Sequence, residues 1–99
     1  MSLFAVEYVY AAGTDDIRDE HRPAHRDFLL ALTPEAGEIV LVSSGPYLEG
    51  SGALLLLAAP SKETLALGLK NDPFAIIDSI AALRITEWSP VLGELSHHA

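Results

Sequence analysis

The chain begins with an apolar segment that has a period of two residues. Phe4, Val6, Tyr8 and Tyr10 fall on one side of this segment, and the residues between them fall on the other. Such a period is typical of a β-strand with one buried face. We therefore predict a strand from Leu3 to Tyr10.

A helical period follows. Four side chains stand at the spacing i, i+3, i+4 and i+7: His25, Phe28, Leu29 and Leu32. This spacing predicts a helix with one face packed on a sheet. Because proline is poorly tolerated inside a helix and favoured at its first position, we expect the helix to begin near Arg22 or Pro23 and to end near Leu32. His25 would then lie in the first turn, and Arg22 and Arg26 would share a different face.

The rest of the chain alternates strands and helices. Three further strands are predicted over residue ranges 38–44, 53–59 and 81–88. Ser61 is a favourable N-cap for a second helix that ends near residues 70–71. Asp72 is suited to cap a short apolar helical turn with Pro73 in its first position. Residues 14–16 are predicted to cap a separate short turn.

The predicted element order is β-α-β-β-α-β, which is the order of the ferredoxin-like α+β fold. We expect a four-stranded antiparallel sheet with both helices on one face, in a single domain over residues 1–90 with a tail at 91–99. Four consecutive leucines at 54–57 predict burial on both sides of the sheet. Since the helices cover one face, we expect a homodimer that forms through the open face.

Composition narrows the classes of partner. Of the 99 residues, 49% are hydrophobic, which is sufficient for a packed core. The formal net charge of −8 argues against nucleic acid and anionic membranes, which attract clustered Lys and Arg. There is no cysteine, so disulfides and thiolate chemistry are excluded. The N-terminal segment lacks a leader pattern and the apolar run at 53–60 is too short to span a bilayer, so we expect a cytoplasmic protein.

Short motifs stand in order along nearly the whole chain: Arg18, Arg22-Pro23-Ala24-His25, Gly37, Ser44-Gly45-Pro46, Gly52, Asp72-Pro73-Phe74 and Trp88-Ser89-Pro90. Their order and spacing resemble the YCII-related (YciI-like) family. The resemblance implies a ferredoxin-like dimer of the dimeric α+β barrel type. It also implies an active site built on a His–Asp pair, carried here by His25 and Asp72. Most members have no assigned reaction, and one is similar to a domain that removes chloride from a chlorinated hydroxyhydroquinone.

His25 and Asp72 are therefore the candidate catalytic residues. A carboxylate that accepts one imidazole N–H fixes the tautomer and leaves the other ring nitrogen free to exchange a proton. The alternative is a structural pair, in which His25 is a core histidine and Asp72 only a helix cap. No native metal is expected, because Pro23 separates His21 from His25 and no third ligand is evident.

Other residues are candidates for binding a ligand. Arg18 and Arg22 are suited to hold a carboxylate or phenolate beside the histidine, and the alternative is surface pairing with neighbouring acidic residues. Ser44-Gly45-Pro46 either brings backbone close to a ligand or forms a plain turn. Phe74 completes the set of candidate ligand-binding residues.

These observations predict a cofactor-independent enzyme that binds a small cyclic or aromatic molecule between helices and sheet. Proton abstraction with elimination or isomerisation is the predicted reaction class. The substrate class does not transfer from the resemblance, since the loop at 47–49 and the segment at 75–78 depart from the family pattern. A non-catalytic dimeric ligand-binding or accessory module is the alternative, and a purely structural protein would have no cavity beside His25.

Overall fold

The computed structural model describes residues 1–99 and contains four strands, three α-helices and a terminal 3₁₀ turn. The elements in chain order are β1 (Ser2–Tyr10), α1 (Asp15–Leu30), β2 (Val40–Pro46), β3 (Gly52–Ala59), α2 (Lys62–Leu69), α3 (Pro73–Ile76) and β4 (Ile80–Glu87), followed by the turn Ser96–His98. The strands form one antiparallel sheet in the order β2-β3-β1-β4. The predicted α+β fold of ferredoxin-like type is confirmed. None of the helices has the length and apolar character needed to cross a bilayer.

The core lies between the helices and one face of the sheet. Its ten buried members are Phe4, Val6, Tyr8, Leu29, Ala53, Leu55, Leu57, Ala59, Leu65 and Leu69. The alternation predicted for β1 delivers three of them, and α2 contributes Leu65 and Leu69 from consecutive turns. Helix α2 begins as expected, because the Ser61 hydroxyl accepts a hydrogen bond from the Thr64 N–H at 3.1 Å.

The start of α1 is the main difference from the sequence prediction. The helix begins at Asp15 and contains Pro23 in its interior, so the predicted start near Arg22 or Pro23 is wrong. A proline inside a helix costs about 3 kcal/mol. Acidic residues in the first turn, and an inner face that is packed from Arg18 to Leu29, offset this cost. His25 therefore lies deep in the helix, away from the free N–H groups of its first turn.

The face of the sheet that the helices leave open is partly apolar. Leu54 and Val9 on this face are 38% and 42% exposed. Leu56, two residues along β3 from Leu54, is 8% exposed. The hydroxyl of Tyr47 donates to Glu7 Oε2 at 2.6 Å on the same face. The leucine run therefore contributes to both faces of the sheet. Leu55 and Leu57 belong to the core, and Leu54 and Leu56 lie on the open face.

We predict that Gly52→Ala lowers the free energy of unfolding by more than about 2 kcal/mol. A Cβ at this position would stand 1.8 Å from the backbone oxygen of Tyr8. Overpacking usually costs about 1–3 kcal/mol, and backbone of a central strand yields less than a side chain. The measurement is urea unfolding, with Gly37→Ala as control because a Cβ there meets nothing within 4 Å. Equal stability of the two variants would contradict the prediction.

Candidate functional site

A cavity of about 460 Å³ opens beside α1, between that helix, the ends of β2 and β3, and α3. Its lining includes His25, Tyr10 and Phe74, with leucines from α1, β2 and β3 forming the apolar wall. The purely structural interpretation, which expects no cavity beside His25, is therefore wrong. A second opening of about 590 Å³ lies at the other end of the sheet near Ser2 and Pro60, away from the His–Asp pair.

His25 and Asp72 meet at the inner edge of the cavity. The distance between His25 Nδ1 and Asp72 Oδ1 is 2.7 Å, the Asp72 side chain is fully buried, and the His25 side chain is 12% exposed. A carboxylate only accepts, so Nδ1 carries the proton in this hydrogen bond. Nε2 has no hydrogen-bond partner within the chain. The arrangement leaves one ring nitrogen of His25 available to a molecule in the cavity.

Asp72 receives two further hydrogen bonds. The backbone N–H of Phe74 donates to Oδ1 at 3.0 Å, and the Tyr8 hydroxyl donates to Oδ2 at 2.8 Å. The first of these is the helix cap that the sequence predicted for α3. Three donors on one buried carboxylate fix its position and compensate for its removal from water.

Tyr8 is the residue of this cluster that the sequence analysis missed. It lies in the middle of β1, 64 positions before Asp72, and its side chain is 2% exposed. Burial and the nearby negative charge of Asp72 raise the pKa of its phenol, so the group remains a neutral donor. A signal was present, because a tyrosine on the inward face of a strand requires a polar partner for its hydroxyl.

The Phe74 ring stacks on one face of the His25 ring. The two rings are parallel within 2° and their centroids are 3.8 Å apart. Tyr10 meets Phe74 edge to face with centroids 6.2 Å apart. The carbonyl of Phe74 accepts a hydrogen bond from the Ser79 hydroxyl at 2.7 Å, which fixes the end of α3. The imidazole plane is thus held by stacking as well as by its bond to the carboxylate.

The arginines near the site occupy different positions. Arg22 lines the cavity, with its guanidinium 5.8 Å from the centre of the Phe74 ring, and it pairs with Asp19. Arg18 does not line the cavity; it is 5% exposed and lies 3.8 Å from the centre of the Tyr10 ring. The sequence pattern predicts Arg22 and Arg26 on a different face from His25, and this prediction is wrong, because all three side chains border the same cavity.

Ser44, Gly45 and Pro46 line the cavity from the end of β2. The sequence predicted that the strand would break at this motif, but β2 continues through Pro46. A proline is tolerated there because β2 is an edge strand that pairs only with β3. The register shifts between Leu41 and Ser43, which is the mark of a β-bulge.

No group of three or more His, Cys, Asp or Glu side chains has the geometry of a metal site. His21, the nearest histidine in sequence to His25, has its Nδ1 2.9 Å from the carbonyl oxygen of Ile17. His97 and His98 lie in the terminal turn, with ring centroids 4.1 Å apart.

A scan against protein-family models and a search of curated proteins found no match. Among solved structures, the chain is similar to the 5-chloro-2-hydroxyhydroquinone dehydrochlorinase TftG from Burkholderia phenoliruptrix AC1100, in complex with 2,5-dihydroxybenzoquinone. The TM-score is 0.75 and the sequence identity 23%, over 88% of this chain and 93% of the other. This similarity establishes a shared fold.

We predict that Tyr8→Phe reduces the alkaline loss of stability. The folded-state pKa of Tyr8 lies above its ordinary value of 10.0, so the folded chain binds this proton more strongly than the unfolded chain. Its contribution is complete below about pH 10 and declines as the pH rises further. Urea unfolding between about pH 8 and pH 11 should show a shallower decline for Tyr8→Phe than for the wild type.

Tyr8→Phe should also cost about 1–3 kcal/mol at neutral pH, because Asp72 Oδ2 loses its donor in a buried place. Tyr47→Phe is the control for the cost at neutral pH, since the Tyr47 hydroxyl bonds Glu7 on the open sheet face, away from Asp72. An alkaline decline of the same steepness in Tyr8→Phe and the wild type would show that Tyr8 does not produce it.

Proposed function

We propose that this chain is a small-molecule enzyme of YCII-related type that transfers protons without a cofactor. His25 is the acid–base group, and Asp72 is the positioning residue that orients it. The observation that carries the proposal is the hydrogen bond of 2.7 Å between Nδ1 and a buried carboxylate, with Nε2 left unpaired beside a cavity. The substrate proposed is a small cyclic or aromatic compound.

The geometry supports a simple reaction. With its proton on Nδ1, His25 has a lone pair on Nε2 that accepts a proton from a substrate carbon next to a carbonyl group. In an elimination, the electron pair of the broken C–H bond forms a C=C bond and the leaving group departs with its own electron pair. In an isomerisation, the proton returns to another atom of the substrate. In both cases Asp72 stabilises the imidazolium that forms.

The cavity and the structural neighbour agree with this substrate class. A volume of about 460 Å³ lies within the range of ordinary small-molecule pockets. The neighbour is a dehydrochlorinase solved with a flat cyclic compound, 2,5-dihydroxybenzoquinone. Removal of HCl is an elimination of the kind that a single acid–base residue can assist. We therefore take the neighbour's substrate as the first compound to test.

We further propose that two copies of the chain form a homodimer through the open sheet face. Leu54 and Val9 are partly exposed there, and burial of apolar area on such a face drives association. The proposal includes a soluble small-molecule enzyme with neither nucleic acid nor membrane as partner. A cytoplasmic location remains a prediction from the sequence.

We expect His25→Gln to lower the rate of chloride release from 5-chloro-2-hydroxyhydroquinone by at least about a hundredfold, the usual contribution of an acid–base residue. Glutamine can still donate to Asp72 but cannot accept a proton at the reaction pH. His21→Gln is the matched control, because His21 hydrogen-bonds the backbone of its own helix. Unchanged turnover in His25→Gln would exclude the proposed role. Ligand binding without any turnover would favour the non-catalytic binding module.

We also expect ¹⁵N NMR of the imidazole to show the tautomer with its proton on Nδ1, as the contact with Asp72 requires. Asp72→Asn should shift the tautomer equilibrium toward Nε2, since an amide can present either a donor or an acceptor to the ring. His21 provides the internal control, because its environment does not include Asp72. An identical tautomer population for His25 in both proteins would show that Asp72 does not orient the ring.

We predict that Leu54→Glu converts a dimer into a monomer. A carboxylate at this position would be buried against apolar surface on association, which costs several kcal/mol per charge. Analytical ultracentrifugation gives the mass of the wild type and the variant. Leu67→Glu, at a position on α2 that is 64% exposed, is the control and should leave the mass unchanged. A monomeric wild type would refute the dimer.

A further inference from the structure

The charges of the chain are distributed unevenly around the cavity. The sequence has 14 acidic residues and 6 Lys or Arg. Two of those six cations, Arg22 and Arg26, line the cavity, and no Asp or Glu lines it. The carboxylate behind the site, Asp72, is fully buried and hydrogen-bonded to three donors. A strongly acidic chain thus presents a cationic surface at its candidate site.

Helix α1 places these cations next to the acid–base group. Arg22, His25, Arg26 and Leu29 follow the spacing i, i+3, i+4 and i+7, and all four line the cavity. This spacing forms a single stripe on a helix. Arg22 and Arg26 therefore start one helical turn apart, and His25 lies between them in the sequence.

The two arginines differ in how their charge is balanced. Arg22 pairs with Asp19, while Arg26 forms no salt bridge in the chain. Arg26 is exposed, and no carboxylate of the chain neutralises its charge at the mouth of the cavity. Its guanidinium is available to an anion that enters the cavity.

The remaining walls suit a flat ring. Phe74 and the His25 ring stack in parallel planes, and Tyr10 stands at right angles to Phe74. Leu41 and Leu55 close the apolar side. A guanidinium binds the two oxygens of a carboxylate in a planar fork, and it also donates charge-assisted hydrogen bonds to the single oxygen of an ionised enol. The charge of such a ligand is stabilised more strongly beside apolar walls than in open water.

We infer that the cavity takes a planar organic anion, a carboxylate or an ionised enol, whose charged oxygens bind the guanidinium groups of Arg22 and Arg26. Its ring lies against the apolar wall and the stacked rings. This inference rests on the proposed function for the placement of a reacting C–H near Nε2, but not for the binding itself. The same guanidinium groups would stabilise the negative charge that develops on a substrate oxygen during proton abstraction.

The test compares anionic probes with neutral analogues by isothermal titration calorimetry. Benzoate is paired with benzamide, and 2,5-dihydroxybenzoquinone, whose enolic hydroxyls ionise as vinylogous acids, is paired with its dimethyl ether. We expect each anion to bind at least about tenfold more tightly than its neutral analogue, and added salt to weaken only the anions. The anion that binds more tightly shows whether the carboxylate or the ionised enol is the recognised group.

Arg26→Gln and Arg22→Gln should each weaken binding of the tighter-binding anion by about tenfold or more, because a charge-assisted hydrogen bond is lost. Arg84→Gln is the matched control: it removes the same charge from β4 at a position opposite Glu7 in the strand register, and should change binding by less than about twofold. Equal binding of anions and neutral analogues, unchanged binding in both cavity variants, or no binding of either anion would overturn the inference.

His25→Gln separates this inference from the proposed function. If both are correct, the variant retains arginine-dependent binding of the anion and loses turnover. Arginine-dependent binding without turnover in the wild type would refute the proposed function alone. Turnover that needs His25 but is indifferent to both arginines would refute the anion inference alone.

Discussion

The buried carboxylate of Asp72 is the constraint on which the rest of the site depends. An ionised group without solvent exposure is tolerated only when its oxygens are saturated by donors. Those donors come from three separate elements: the Tyr8 hydroxyl of β1, the His25 ring of α1 and the Phe74 N–H of α3. Asp72 therefore joins the sheet to the helix layer, and loss of any donor leaves buried charge less compensated.

This arrangement couples folding to chemistry. The Oδ1 atom that caps α3 is the same atom that orients the imidazole of His25. The cap also places Phe74 so that its ring lies flat beneath His25. A variant of Asp72 therefore alters stability and ring orientation together, and only a readout of the ring itself separates the two effects.

Local sequence rules were sufficient for the four strands apart from the ends of β2, for α2 and for the cap of α3. They failed at α1, because Pro23 is a strong local stop signal that packing of the helix on both sides of it, at Arg18 and Leu29, overrides. The His25–Asp72 pair came from the resemblance to the YCII-related family, since local spacing alone left open whether the two residues are structural or functional. The third member of the cluster was not predicted, because the bond from Tyr8 depends on how β1 pairs within the sheet, 64 residues away from Asp72. Side-chain periodicity places a residue on a face but does not identify its partner.

The earlier start of α1 also changes the electrostatics. In the continuous helix, Arg18, Arg22 and Arg26 follow one another at intervals of four residues. Arg18 is buried and paired with Asp15, Arg22 is partly exposed and paired with Asp19, and Arg26 has no carboxylate partner. Carboxylates of the same helix thus neutralise the first two arginines of the row but not the third. Pro23 contributes no N–H to the helix, yet the helix continues through it and the row of arginines stays intact. A helix beginning at Pro23 would have separated the paired arginines from the unpaired one.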